Sequence, residues 1–418
     1  MRLFFLSAAA CFAQVVNPGF EQGEIGSVPT GWFLPQLLAK AGFKAEVVNT
    51  GCKVGTQCAM LTGIMNPPAN TFANLMQNTS AAPFIGKRVR MRAAVRVSGG
   101  PVQARMWLRI DGKDGEMLFI DNMSDRPIHG IVWDYYTIEA NVAPDAANLA
   151  FGLMGFGAGT VHFDDVSITA IGEFKPEEPR EISAQGITNI TAFAKLYGYV
   201  RYFHPTFAAS LNWDTFVING VRAVETAPAS QLPATLRKLF AGVAPTVKIG
   251  DQPAAAVREE GRWIGHRHYG LEFSTQPNSL NIYKSKLEPI DEPRVPFTAE
   301  IAPGLTVTVP LALGPEQSVV TPEPVAKALA DADDRATRLA AVIVAWNVFQ
   351  HFYPYFDIVK TDWPAELPKA LRAAATSRSK SEHVQTLERL VAALHDGHGN
   401  VNGIGGPTPA IANMRAAW

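Results

Sequence analysis

Two histidines and an aspartate follow the last amphipathic helix that the sequence predicts. They stand in the segment His395-Asp396-Gly397-His398. A glycine-containing turn at the end of a buried helix can hold an imidazole against a cleft, where it could act as a general base. Such a base needs a nucleophile within hydrogen-bond reach, and no serine follows Ser381. The turn therefore predicts an incomplete hydrolytic site.

The same turn has two simpler interpretations. The histidines could cap the carbonyl groups at the helix end, where a positive charge is favoured. Alternatively, His395, Asp396 and His398 could bind a metal ion, but three ligands so close in sequence seldom complete one coordination shell.

Two apolar helices carry a resemblance to a known family. One runs over residues 338–356 and ends in the aromatic segment around Pro354, and the other precedes the histidine turn. Together they resemble the tail-specific (C-terminal-processing, tricorn-like) serine peptidases. The resemblance covers residues 183–405, the non-catalytic part that precedes the catalytic core in that family.

The peptidase resemblance implies a role for each residue of the turn. His398 would be the general base, supported by His395, Asp396 and Gly397, and the serine nucleophile would lie beyond Trp418. The implied partner is a peptide or protein substrate, and this chemistry requires no cofactor. Because the base lacks its nucleophile, the chain as given is expected to be inactive.

The first residues are typical of an export signal. Arg2 precedes a short apolar run, and small residues stand before a cleavage position at Gln14. A lipoprotein anchored through Cys11 is the weaker alternative, because Ala8 stands where such signals usually have leucine. Export would make Cys52 and Cys58 a disulfide, with two free thiols as the alternative.

Residues 14–172 alternate in the manner of short β-strands, which predicts a sandwich. The sequences at the two ends of this segment, 17–21 and 162–168, resemble the jelly-roll carbohydrate-binding modules found beside secreted hydrolases. Such modules bind polysaccharide on aromatic rings, and the candidates are Trp107, Tyr135 and Tyr136, unless these rings pack within the sandwich. The resemblance also implies a structural calcium ion held by Glu21 and Asp165.

The remaining chain shows an internal repeat. The aromatic segment around Pro205 recurs around Pro354, 149 positions later, and Trp213 matches Trp363. We therefore predict a multidomain α+β protein with an all-β jelly-roll sandwich and duplicated helical subdomains separated by a β-rich segment. The predicted parts are a signal peptide (1–13), the sandwich (14–172), a linker (173–182), the first helical repeat (183–244), the β-rich segment (245–321), the second helical repeat (322–405) and the start of a downstream region (406–418).

Composition restricts the partners. The apolar fraction of 47% is that of a globular protein, and the net charge of −1 gives no reason to expect nucleic acid. No run is long and apolar enough to predict a membrane span. The main hypothesis is the N-terminal portion of an exported serine endopeptidase. The alternative is a non-catalytic secreted protein that binds glycan or cell wall and carries a helical interaction scaffold.

Overall fold

The structure is a computed structural model, and its described residues form two compact units. The unit boundary falls between Lys175 and Pro176, inside the predicted linker. The described residues are 15–68, 71–100, 102–124, 126–207, 211–250, 262–272, 282–320, 334–397, 399 and 401. Within those ranges, no helix combines the length and the apolar character that a membrane crossing requires.

The N-terminal unit is a sandwich of two antiparallel sheets. One sheet has five strands in the order β1-β2-β9-β4-β7, and the other has four in the order β3-β8-β5-β6. A short helix, α1 (Gln36–Lys40), precedes the first strand. The strands are β1 (Lys44–Val48), β2 (Cys58–Gly63), β3 (Ala73–Ser80), β4 (Lys87–Ser98), β5 (Gln103–Gly112), β6 (Met117–Asp121), β7 (Asp134–Asn141), β8 (Ala146–Phe156) and β9 (Gly159–Glu173).

Strand alternation separates the sandwich core from its outer faces. On β4, Met91 and Ala93 are fully buried, whereas Arg90 and Arg92 between and beside them point outward. Arg90 pairs with Glu139 on the neighbouring strand at 2.8 Å. This alternation is what the sequence predicts for a two-layer sandwich.

One break in the alternation lies in β9. The pairing of β4 with β9 shifts register between Arg92 and Ala94, and Asp165 has a positive φ of 48°. A bulge of this kind places two residues of one strand opposite one residue of its partner. The side chains of Asp164 and Asp165 therefore do not follow the simple inside–outside pattern.

The C-terminal unit packs helices against small sheets. Strands β10, β14 and β13 form a three-stranded sheet, and β11 pairs with β12. The elements are α2 (Ala184–Phe203), α3 (Trp213–Val224), α4 (Leu232–Phe240), β10 (Lys248–Ile249), β11 (Trp263–Glu272), β12 (Ile282–Ile290), β13 (Phe297–Ala302), β14 (Leu305–Val309), α5 (Pro315–Ser318), α6 (Arg335–Phe352), α7 (Phe356–Val359), α8 (Trp363–Thr376) and α9 (Lys380–Ala392). One core joins helices and sheet, with Phe193, Leu339 and Val307 all fully buried.

Local chemistry sets the ends of the two long helices. Ser183 caps α2 and Asp334 caps α6, and each side-chain oxygen accepts a hydrogen bond from the amide three residues later. Both helices end just before a residue in extended conformation that precedes Pro205 or Pro354. The predicted order is confirmed at this level: antiparallel sheets come first, in a sandwich, and helices follow. The duplication of the helical part stays a prediction.

Candidate functional site

The outer face of the four-stranded sheet carries aromatic rings. On β5, Met106 and Leu108 enter the sandwich core, so Trp107 points to the opposite side. There it packs in a separate cluster with Met154 of β8, and Phe156 flanks that cluster. An apolar cluster on the outer face is unusual for a sandwich, whose outer residues are commonly polar.

Trp107 anchors this face, but its own ring is covered. Its side chain is only 7% exposed. The indole Nε1 donates a hydrogen bond of 3.0 Å to Oδ1 of Asn74 on β3. Trp107 thus fixes the orientation of the Asn74 amide and offers little ring surface to a ligand.

Two phenylalanines beside Trp107 are more accessible. Phe72 and Phe156 are half-buried, and their rings stack with centroids 5.0 Å apart. The guanidinium of Arg105 lies 4.5 Å from the ring centroid of Phe156, within cation–π distance. Its Nε is buried and finds no hydrogen-bond partner in the part of the chain that the structure describes.

Sequence reasoning missed both phenylalanines. Phe72 has the same parity as Asn74 and Met76, so alternation places these three residues on one face. Phe156 is the last residue of β8 and lies opposite Gln103 at the start of β5. The alternation signal was present, but only the strand pairing shows that the two rings meet.

Tyr135 and Tyr136 do not join Trp107 in one platform, because they lie on β7 in the other sheet. Tyr136 turns inward and packs against the sandwich core. Tyr135 turns outward, but the Arg92 guanidinium lies 3.3 Å from its ring centroid. The Tyr135 hydroxyl donates to Asp165 at 2.8 Å, and this hydrogen bond raises the pKa of Tyr135.

Glu21 and Asp165, the carboxylates proposed for calcium, contact different residues. Asp165 bonds Tyr135 and Arg92, as a consequence of the bulge in β9. The buried neighbour Asp164 instead faces the loop that Glu21 contacts. One oxygen of Asp164 accepts the amides of Lys53 and Val54, each at 2.9 Å.

Hydrogen bonds already occupy acceptor positions on both Glu21 and Asp165. Glu21 accepts the Thr56 and Gln57 amides and the Thr56 hydroxyl, which lower its pKa. Among the described residues, no group of three or more His, Cys, Asp or Glu side chains is placed to hold a metal ion. The donor set therefore does not fit a calcium site built on Glu21 and Asp165.

A disulfide closes the loop that these carboxylates bind. Cys52 and Cys58 are joined, with Cα atoms 5.4 Å apart. The link ties the loop to the first residue of β2. It restricts the segment whose amides meet Glu21 and Asp164.

The turn after α9 is arranged differently from the sequence prediction. His395, rather than Gly397, takes the positive φ, at 53°. Asp396 accepts a hydrogen bond of 3.2 Å from the Tyr353 hydroxyl. A cavity of about 480 Å³ lies beside the turn, and none of its lining residues carries a hydroxyl or thiol. His398 lies outside the described residues.

Comparison with known proteins gives two kinds of similarity. No family model matches the chain. In sequence, it is 31% identical over 159 residues to the uncharacterized HTH-type transcriptional regulator YbfP of Bacillus subtilis (strain 168). The match covers 37% of this chain and 52% of that protein. The chain thus spans about half the length of this curated relative, whose activity is not transferred to it.

Among solved structures, the chain is similar to carbohydrate-binding modules. The CBM22-1 xylan-binding domain of Xyn10C from Paenibacillus barcinonensis shares 14% identity at a TM-score of 0.28, covering 37% of this chain and 92% of that one. The C-terminal family 22 module of Xyn10B from Clostridium thermocellum shares 11% identity at a TM-score of 0.28, covering 39% and 96%.

The predicted membership in the tail-specific serine peptidase family is wrong. The curated relative reported above is an HTH-type transcriptional regulator, not a peptidase. The resemblance rested on two apolar helices and on the turn that follows the second. Helix α6 buries its apolar residues in the core, and Asp396 bonds Tyr353. The roles of His398, and of His395, Asp396 and Gly397 as its support, are withdrawn.

Proposed function

We propose that this chain is a non-catalytic protein whose N-terminal sandwich binds a polysaccharide. The proposed site, called the aromatic face below, consists of Phe72, Asn74, Arg105, Trp107 and Phe156. One observation carries the proposal: the stacked, half-buried pair of Phe72 and Phe156 lies beside the Arg105 guanidinium, which is 4.5 Å from the Phe156 ring centroid.

The aromatic face suits the chemistry of a sugar. A pyranose ring presents C–H groups that pack on an aromatic ring and hydroxyls that hydrogen-bond at its edge. Phe72 and Phe156 supply the apolar surface, and Arg105 supplies donors. Among the described residues, the Asn74 Nδ2 meets just the Met76 sulfur, at 3.5 Å, which is a weak acceptor. Its donor capacity is therefore largely left for a ligand.

The other parts of the hypothesis remain proposals. The helical unit would serve as an interaction scaffold for protein partners. Export would place the sandwich where polysaccharides occur, and the Cys52–Cys58 link supports that expectation, since disulfides persist in oxidising compartments. Residues 1–14, including Cys11, lie outside the described residues. A structural calcium ion is not proposed, because the contacts of Glu21 and Asp165 do not fit such a site.

Titration of the purified chain with soluble polysaccharides tests the proposal. Xylan, the ligand named for the similar solved structures, is the first probe, followed by mixed-linkage glucan and soluble peptidoglycan fragments. We expect Phe156→Ala to weaken binding at least about tenfold, because it removes half of the aromatic surface and the support of Arg105.

Tyr135→Ala is the matched control, since that ring lies on the other sheet with its face covered by Arg92. Its affinity should equal that of the unaltered chain. Loss of binding in Tyr135→Ala with full binding in Phe156→Ala would overturn the assignment to the aromatic face. Failure of all three polysaccharides to bind the folded chain would overturn the proposed function.

A further inference from the structure

A second cleft lies in the C-terminal unit, on the outer face of the three-stranded sheet. Its volume is about 640 Å³. Three side chains form a row across the sheet, because Thr308 of β14 pairs with Lys248 of β10 on one side and Thr298 of β13 on the other. The opposite face of the sheet is apolar and enters the core through Ile249 and Val307. The polar row is therefore a feature of the outer face.

Helix α4 adds a second cation to the cleft. Arg237 lines it and donates from Nη1 to the carbonyl oxygen of Ile249 at 3.1 Å, which fixes the guanidinium at the sheet edge. Within the described ranges, neither Arg237 nor Lys248 has a carboxylate at ion-pair distance. Glu300 lies on β13 opposite the lining residue Thr306, but its carboxylate accepts the Gly304 amide at 2.7 Å and is not among the groups that line the cleft.

Hydroxyl groups complete the lining. The Thr298 and Thr308 hydroxyls lie 3.1 Å apart, so one of them donates to the other and the second keeps its proton for another acceptor. Thr306 adds a third hydroxyl. Among the described lining residues, two cations and three hydroxyls stand without a carboxylate, a set that favours negatively charged oxygen atoms.

We infer that this cleft binds an oxyanion, the phosphate or carboxylate group of a small polar ligand. Arg237 and Lys248 would supply charge-assisted hydrogen bonds, and the threonines would bond the remaining oxygens. The volume lies within the range of small-molecule sites and exceeds that of a bare anion. Sugar phosphates and sugar acids share this chemistry, with an anionic group attached to a hydroxylated body. The inference does not depend on the aromatic face.

Calorimetric titration of the full chain at low ionic strength tests the inference. The probes are glucose 6-phosphate, glucuronate and inorganic phosphate, with glucose as the uncharged control. We expect at least one charged sugar to bind and glucose not to bind. Binding of the phosphate ester alone would identify a phosphate site, and binding of glucuronate alone a carboxylate site. Added salt should weaken either interaction.

Arg237→Gln and Lys248→Gln should each weaken binding of that probe at least about tenfold. Lys238→Gln, an exposed neighbour on α4 that does not line the cleft, is the matched control and should leave affinity unchanged. If Arg237→Gln fails to fold, Lys248→Gln still decides the test. The inference is overturned if no charged probe binds, if glucose binds equally, or if Lys238→Gln loses as much affinity as Lys248→Gln.

Discussion

The two helical regions of the C-terminal unit, α2–α4 and α6–α9, have the same order of elements. They differ at the residue that follows the first helix of each region, which is called the joint below. In the first, α2 is followed by His204 in extended conformation and then by a helix that begins at Trp213. In the second, α6 is followed by Tyr353 in extended conformation, and after the short α7 comes a helix that begins at Trp363. The common order fits two copies of one unit, and the joints show how far the copies differ.

Positions that the predicted repeat aligns meet where α2 packs against α6. Gly198 and Asn347 are 149 positions apart and in contact, since a Cβ on Gly198 would lie 1.9 Å from Asn347 Oδ1. Phe203 and Phe352, with the same offset, have ring centroids 6.4 Å apart. Contact between equivalent positions is what a local twofold arrangement requires. The two helices approach closely because Gly198, which contacts Asn347, has no side chain.

At another pair of aligned positions, two different side chains each donate a hydrogen bond to a carbonyl group at a helix end. Asn189 donates to the Val224 carbonyl at the end of α3. Arg338, 149 positions later, donates to the Ser377 carbonyl at the end of α8. A helix end needs a donor for its last carbonyls, but it does not specify which side chain supplies it. Superposition of the two copies stays a prediction, and the variants below test how far they are alike.

The largest difference lies at the helix starts, where α6 begins with a fully buried arginine and α2 with the exposed Ala184. Arg335 bonds both oxygens of Glu225, at 2.7 and 2.8 Å. Arg335→Leu would leave Glu225 buried with Arg180 as its one remaining partner among the described residues. We expect a loss of about 3–5 kcal/mol in the free energy of unfolding, measured by urea titration.

Ala184→Leu is the control at the equivalent helix start and should change the free energy of unfolding by less than about 0.5 kcal/mol. The double variant Arg335→Leu with Glu225→Leu should recover part of the loss, because it removes the uncompensated carboxylate. Equal losses in Arg335→Leu and Ala184→Leu would show that the two helix starts do not differ energetically.

The second variant tests the central contact. Gly198→Ala would place a methyl group against Asn347 Oδ1 and 2.7 Å from His351 Nε2, so the helices must separate. Overpacking of this kind costs about 1–3 kcal/mol of unfolding free energy. Asn347→Ala in the same chain should relieve part of it, giving a double-mutant coupling above about 0.5 kcal/mol. Strict additivity of the two changes would argue against direct contact.

The third variant uses the pH dependence of the free energy of unfolding to distinguish the joint at His204 from the joint at Tyr353. Burial lowers the pKa of His204 to about 3, with a smaller contribution from His266. The unfolded chain then binds a proton below about pH 6.5 that the folded chain does not bind, so this group reduces stability as pH falls from 6.5 towards 3. The slope is at most about 1.4 kcal/mol per pH unit for one proton.

His204→Gln should remove one proton's share of that slope, as measured by urea unfolding at pH 7.0, 6.0 and 5.0. Tyr353→Phe, at the equivalent joint, should leave the slope unchanged, because burial raises the pKa of Tyr353 and the phenol stays neutral over this range. An unaltered slope in His204→Gln would mean that His204 does not contribute to acid sensitivity.

Much of the fold was predictable from the sequence. Helix ends at Pro205 and Pro354 follow from the backbone of the residue before proline, and the strand pattern of residues 14–172 follows from alternation. The cap at Ser379 has a local origin as well, since its hydroxyl accepts the Glu382 amide three residues later. These features depend on neighbours in sequence, which is why the sequence alone reveals them.

The candidate site was less predictable because it depends on strand pairing. Trp107 was found, but its burial under neighbouring side chains depends on β3 and β8. Phe156 was missed because nothing in the local sequence shows that Phe72 meets it. Because of the bulge at Asp165, the carboxylate that faces the loop contacted by Glu21 belongs to Asp164 and not to Asp165. Long-range register and bulges leave little trace in a single sequence.

The smallest expected effect concerns the hydrogen bond that the side chain at each joint makes. In the first copy, the His204 ring is hydrogen-bonded to Thr246, whereas in the second the Tyr353 hydroxyl reaches Asp396 at 3.2 Å. The latter bond is long and partly exposed, so Tyr353→Phe should cost about 0.5–1 kcal/mol of unfolding free energy. Tyr199→Phe is the control, since its hydroxyl bonds no described residue and its loss should cost less. A cost for Tyr353→Phe no greater than for Tyr199→Phe would mean that the turn at His395 is held by the helix end alone. The second joint would then be a packing contact, and the difference between the copies would reduce to the buried histidine of the first.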